Sequence, residues 1–222
     1  MKVKTVEFCG TLVAPDAPFP ADLPQIAFSG RSNVGKSSLI NRILGRTRKK
    51  VARVSATPGK TQGLNFYQVN TEFFLVDLPG LGYARAPDHV RAQWKTLVEG
   101  YLARKDGACG VVHLVDVRRD PTVEDRVMLE YLASLGTPTL VAITKIDKLK
   151  QQKRLTVIPE LTQALGLDPE QVIPLSSKTG EGREELMEAL GSLVQAWSKS
   201  QRSKSRNQES GGLAGCPPLH SA

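Results

Sequence analysis

The nine residues GRSNVGKSS, positions 30–38, constrain this chain more than any other stretch. Gly30 and Gly35 stand five apart, with Lys36 and Ser37 directly after them. That spacing fits G-x-x-x-x-G-K-[ST], a loop whose successive backbone N–H groups turn inward around a polyphosphate. The flanks agree. PQIAFSG before the loop reads as a short buried strand and KSSLINRIL after it as a helix, which is the order the loop requires.

Strand and helix patterns alternate from there to near the end. GLNFYQV, EFFLVDL, GVVHLVDV, TLVAITK and QVIPLSS are mostly continuous apolar runs, as found where both faces of a sheet are covered. In RAQWKTLVEGYLARK, residues Trp94, Leu97, Val98, Tyr101 and Leu102 recur at helical spacing. Leu186, Leu190, Leu193, Val194 and Trp197 do the same further on. Both tryptophans are therefore expected in the core. Only NTE separates the two strands before DLPG, so they should form a hairpin that adds one antiparallel strand. The expected fold is an α/β three-layer sandwich: a mixed, six-stranded, mostly parallel sheet with helices on both faces.

A chain of 222 residues with 40% hydrophobic content supports one domain with a sizeable core. Residues 1–23 read as a proline-rich lead-in with one possible strand, KVKTVEF, and 24–198 as the nucleotide-binding domain. From 199 to 222 the sequence reads as a basic, disordered tail. The longest apolar run, ACGVVHLVDV, is too short to cross a bilayer, and no signal segment is evident, so a cytoplasmic protein is expected. Cys9, Cys109 and Cys216 are widely separated and lack histidines at ligand spacing, which suggests neither a disulfide framework nor a zinc site. The net charge of +8 is clustered: Arg46, Arg48, Lys49, Lys50 and Arg53 in one run, Lys148, Lys150, Lys153 and Arg154 in another, KSQRSKSR in a third. Such runs are either solvated faces or contacts for a phosphate-rich macromolecule.

A phosphate loop alone fits ATPases, kinases and GTPases; the segments downstream discriminate. LVDLPG ends an apolar strand in Asp77 and places Gly80 three residues on. In that arrangement a carboxylate holds Mg²⁺ through water and a glycine N–H senses the γ-phosphate. TPGKTQG lies between, where Thr61, with Thr57 as its rival, is placed to offer Mg²⁺ a hydroxyl. In TKID, Asp147 can accept two hydrogen bonds from guanine N1–H and the 2-amino group, whereas adenine offers neither donor. The stem of Lys145 can cover one face of the base. In LSSKTG, which includes Ser176, the N–H of Ser177 can reach guanine O6 while Lys178 covers the other face. Lys36 should bridge the β- and γ-phosphates, and the backbone of Arg31, Ser32, Asn33, Val34, Gly35, Lys36 and Ser37 should cradle the α- and β-phosphates, with Ser38 next in the loop. Ser37, Thr61 and Asp77 form the Mg²⁺ set. Leu81 follows Gly80 where many GTPases carry Gln, and it can neither donate nor accept a hydrogen bond, so hydrolysis should be slow.

With five segments in this order, the chain resembles the translation-factor class of P-loop GTPases. The strings GRSNVGKSSLIN, TPGKTQGLNF, VDLPGLGYA and TKID are similar to the EngB family of ribosome-biogenesis GTP-binding proteins over residues 3–198. That resemblance implies a single GTP- and Mg²⁺-binding domain, a monomer off the ribosome, and action in assembly of the large ribosomal subunit through rRNA and ribosomal proteins. Thr144 stands where the general pattern has Asn, which removes a side-chain amide toward guanine N7. In related GTPases that use K⁺ as a charge-neutralising element, an Asn at the position of Asn33 coordinates the ion; the alternative is that Asn33 only tolerates an unusual turn. Two other functions fit parts of the pattern: a nucleotide-gated RNA-binding module with incidental hydrolysis, and a P-loop kinase, which has no need of TKID and SSK at consecutive strand ends.

Overall fold

The computed structural model describes residues 1–14, 17–18, 23–46, 63–80, 87–104 and 106–210; Leu81, Thr57, Thr61, Cys216 and the basic residues 48–53 lie outside them. Its strands are β1 (Val6–Leu12), β2 (Gln25–Gly30), β3 (Leu64–Val69), β4 (Phe73–Asp77), β5 (Ala108–Asp116), β6 (Thr139–Thr144) and β7 (Val172–Pro174). The helices are α1 (Lys36–Ile43), α2 (Asp88–Leu102), α3 (Val123–Ser134), α4 (Gln151–Ala164) and α5 (Arg183–Ser210). The strands form one sheet in the order β1-β3-β4-β2-β5-β6-β7. β3 is antiparallel to both of its neighbours, β1 and β4, and the pairs from β4 through β7 are parallel.

The sheet has seven strands instead of the expected six. The extra strand is β1, built from the KVKTVEF region and its continuation. It is an edge strand whose register shifts between Phe8 and Gly10 and whose side chains are mostly exposed, so it lacks the apolar run that marks the inner strands. Its place is secured from afar. Asn70 Oδ1 accepts from the N–H groups of Lys4 and Thr5, and Asn70 Nδ2 donates to Lys2 O at 2.7 Å. Asn70 and Thr71 take left-handed φ values of 52° and 56°, the turn that the expected β3–β4 hairpin needs.

β2 is buried along its whole length, so the phosphate-loop sequence emerges from the centre of the sheet. On one face, Leu39, Ile40 and Ile43 of α1 pack with Leu186, Met187 and Leu190 of α5 against Ile26, Phe28, Leu75 and Leu114. On the other face, Leu97, Val98 and Tyr101 of α2 and Met128 and Leu132 of α3 cover Ala27, Phe66, Val76 and Val111. α4 adds Leu161 over Val141 and Ile143.

Two further expectations are corrected. Trp94 and Trp197 are half-buried, not core: a side chain of that size is rarely covered completely even when much of it packs. α5 continues to Ser210, so the chain does not leave regular structure at 199; a helix already anchored at Leu186 and Leu190 extends through polar residues, each adding one backbone hydrogen bond per turn step.

Candidate nucleotide site

The parallel strands all end on one edge, and there the sequence-selected residues converge. Gly30 closes β2 with φ 144°, and a Cβ at this position would lie 2.8 Å from Leu114 O, so only glycine fits. Asn33, exposed, takes φ 64°, and Gly35, the residue before α1, takes φ 112°. The loop thus reverses twice before delivering Lys36 to the first turn of α1, where free N–H groups and the helix dipole favour an anion.

Lys36 donates to the Asp77 carboxylate at the end of β4, with both side chains buried. Three residues on, a Cβ at Gly80 would lie 2.8 Å from Ser32 Oγ and 3.2 Å from Ser32 N, so the DLPG strand end lies against the phosphate loop. Ser37 is the second residue of α1, and its carbonyl accepts from Asn41 Nδ2 at 2.8 Å.

The other half of the site hangs from β6 and β7. The buried Thr144 hydroxyl lies 2.8 Å from Val34 O and 3.1 Å from Val115 O, fastening the phosphate loop to the sheet. Thr at this position therefore does a structural job that needs only one short donor. Lys145, at φ 62°, sends Nζ to Asn33 O at 2.6 Å and to Asp116 Oδ2 at 2.8 Å. Asp147 Oδ1 accepts from Ser176 Oγ at 2.7 Å, and Ser176 Oγ in turn accepts from Thr179 N. Ser177 and Lys178 follow in the same loop. Most of the sequence-selected residues within the described part thus gather on this edge in a few local sets of contacts, around Lys36 and Asp77, around Lys145, and around Asp147 and Ser176; Thr61 lies outside the described residues.

Residues 25–145 match the family described as 50S ribosome-binding GTPase. "Probable GTP-binding protein EngB" of Gemmatimonas aurantiaca is 50% identical over 195 residues, covering 87% of this chain and 95% of that protein. The chain belongs to the EngB family of GTPases. An EngB protein of Pelotomaculum thermopropionicum is 46% identical over 196 residues, covering 87% of this chain and 98% of its own. Among solved structures, that of a probable GTP-binding protein EngB superposes with a TM-score of 0.64 at 28% identity, covering 78% of this chain and 99% of that one. EngB membership makes this a GTP-binding, GTP-hydrolysing enzyme, and the edge described above is where its fold gathers the motifs of that family.

Sequence reasoning missed three parts of the EngB site. Asp116, at the end of β5, binds Arg118 Nε at 2.9 Å and Nη2 at 2.8 Å as well as Lys145. Burial works to raise its carboxyl, but the bonds from Arg118 and Lys145 outweigh that and hold it far below the ordinary carboxylate range. Its signal was available, since a carboxylate closing an apolar strand is the same feature that marked Asp77. Behind the loop, Ser29 Oγ lies 2.8 Å from His113 Nδ1, and His113 Nε2 lies 3.1 Å from Asp125 Oδ1. A carboxylate only accepts, so Nε2 donates to Asp125, which leaves Nδ1 to pair with the Ser29 hydroxyl. Asp125 also closes a capping box with Thr122 at the start of α3. Third, Arg42 binds the loop after β7 at Ser177 O, a contact across 135 residues that no local pattern announces.

Proposed function

We propose that this GTPase is a slow, nucleotide-operated switch in assembly of the large ribosomal subunit, working in the cytoplasm as a monomer between encounters with the ribosome. What carries the reading is that the DLPG strand end is tied to the phosphate loop at two points, Lys36 to Asp77 and Gly80 to Ser32. A γ-phosphate arriving at Lys36 must rearrange that junction, and residues 81–86 continue directly from it.

Asp77 and Lys36 neutralise one another, and Mg²⁺ and phosphate bring the matching opposite charges to the same two groups, so the residues fit the metal. Ser37, Asp77 and Thr61 would hold Mg²⁺, which when bound offsets phosphate charge during transfer. Lys36 steadies the β- and γ-phosphates, and the N–H groups of 31–37 orient the α- and β-phosphates. Asp147, set by Ser176, and Ser177 read the base while Lys145 and Lys178 cover its faces. Leu81 offers no hydrogen bond to an attacking water, which keeps turnover slow, and Asn33 would hold K⁺, which when bound would add positive charge beside the phosphates. The family description, 50S ribosome-binding GTPase, supports the large subunit as partner, and the basic runs at 46–53 and 148–154 suit rRNA phosphates.

Co-sedimentation with separated ribosomal subunits tests this. Association with the large subunit should be stronger with a non-hydrolysable GTP analogue than with GDP, and should weaken steeply with KCl. RNA binding indifferent to the nucleotide would instead make the protein a binding module with incidental hydrolysis.

A further inference from the structure

α1 begins in the phosphate loop and ends beside the loop after β7, and two arginines lock that second junction. Arg42, in the last turn of α1, donates from Nε to Ser177 O at 2.7 Å and from Nη2 to Lys178 O. Gly180, at φ 92°, supplies the left-handed turn that brings the loop alongside the Arg42 guanidinium. Arg183, the first residue of α5, returns the contact, donating from Nε to Arg42 O and from Nη2 to Ile43 O, each at 3.2 Å. Those carbonyls belong to the last turn of the helix, and Arg42 O also accepts from Gly45 N at 3.2 Å. The four donors all come from charged groups, which make the stronger hydrogen bonds.

The geometry of a trans peptide gives this lock a direction. Carbonyl and N–H lie in the plane of each peptide and point in opposite directions. Ser176 O accepts from Gly180 N at 2.8 Å, which turns the N–H of Ser177 the other way. Ser177 O, held by Arg42, turns the N–H of Lys178 away from α1 in the same manner.

We propose that Arg42 is a positioning residue for guanine recognition: by holding the Ser177 carbonyl it keeps the N–H of Lys178, beside that of Ser177, turned toward O6 of the base without itself touching the nucleotide. The proposal rests on the base lying between Asp147 and this loop. It links the two ends of the site through one helix, so the phosphate loop and the base loop move as a unit.

The test compares affinities for GDP and for 6-thioguanosine diphosphate, in which sulfur, a weaker acceptor, replaces O6 while N1–H and the 2-amino group are kept. The parent protein should prefer GDP. Arg42→Met should shrink that preference by about fivefold, the scale of one lost hydrogen bond, and accelerate GDP release. Arg42→Lys, with a single ammonium in place of a fork, should fall between and serves where the Met variant does not fold. Arg183→Met removes the helix cap but leaves both loop carbonyls held, so it should lower the melting temperature and keep the preference. An unchanged preference in both Arg42 variants would overturn the proposal and leave Arg42 a structural link. Equal binding of the two nucleotides by the parent would overturn the placement of the base as well.

Discussion

Lys36, on the first turn of α1, and Asp77, at the end of β4, form a buried ion pair, with side-chain exposures of 10% and 4%. Removing one member leaves the other charge buried and unmatched. Lys36→Met should therefore destabilise the nucleotide-free protein by about 3 kcal/mol, read from urea unfolding, and should abolish GTP turnover. A loss well under 1 kcal/mol would show that Asp77 finds water or another donor.

Asp147→Asn should exchange guanine for xanthine specificity, because the amide donates where the carboxylate accepted and xanthine presents an oxygen at position 2. Calorimetry with GDP and XDP measures it. Retained guanine preference would place the base elsewhere.

The φ of 64° at Asn33 makes Asn33→Ala an ambiguous probe, since it adds backbone strain to any loss of a ligand. Asn33→Gly keeps the turn and removes only the amide. Phosphate release by the parent should run faster in K⁺ than in Na⁺ at equal ionic strength, and the Gly variant should lose the difference while still binding GDP. A Gly variant with intact K⁺ stimulation would reduce Asn33 to a turn residue.

Asp116 and Asp125 both have carboxyls held below the reference value of 3.8, against burial, by hydrogen bonds from Arg118 and Lys145 and from His113 and Thr122 respectively. The unfolded chain takes up these protons first as pH falls. Their stabilisation is thus complete above about pH 4 to 5 and is lost below it, as pH falls toward the folded-state values. Asp116→Asn should make the acid limb of stability against pH shallower; an unaltered limb would mean that Asp116 is not held ionised by its partners.

His113 is fully buried between Ser29 and Asp125. Replacing it with Ala strips a buried hydroxyl and a buried carboxylate of a partner at once, for an expected loss of about 3 kcal/mol. Equilibrium unfolding in urea reads it directly, and a loss near zero would indicate that water fills the gap.

The sequence by itself determined the chemistry-bearing skeleton. Gly30, Gly35, Lys36, Asp77, Lys145, Asp147 and Ser177 were legible because each motif is local: a strand, a turn of restricted φ and a helix follow one another within a dozen residues, and an apolar run announces the strand. The β3–β4 hairpin was legible for the same reason. Tertiary structure alone decided whatever depends on a partner far along the chain. β1 has too few buried side chains to declare itself and is a strand only because β3 and Asn70 receive it. Helical spacing put Trp94 and Trp197 on apolar stripes, but how far each ring is covered is set by what packs around it. Arg42 reads as an ordinary basic residue in a short amphipathic helix; folding brings Ser177 within 2.7 Å of it and makes it part of the site. Periodicity reports which face of an element is apolar, but a hydrogen bond across more than a hundred residues leaves no period in the sequence.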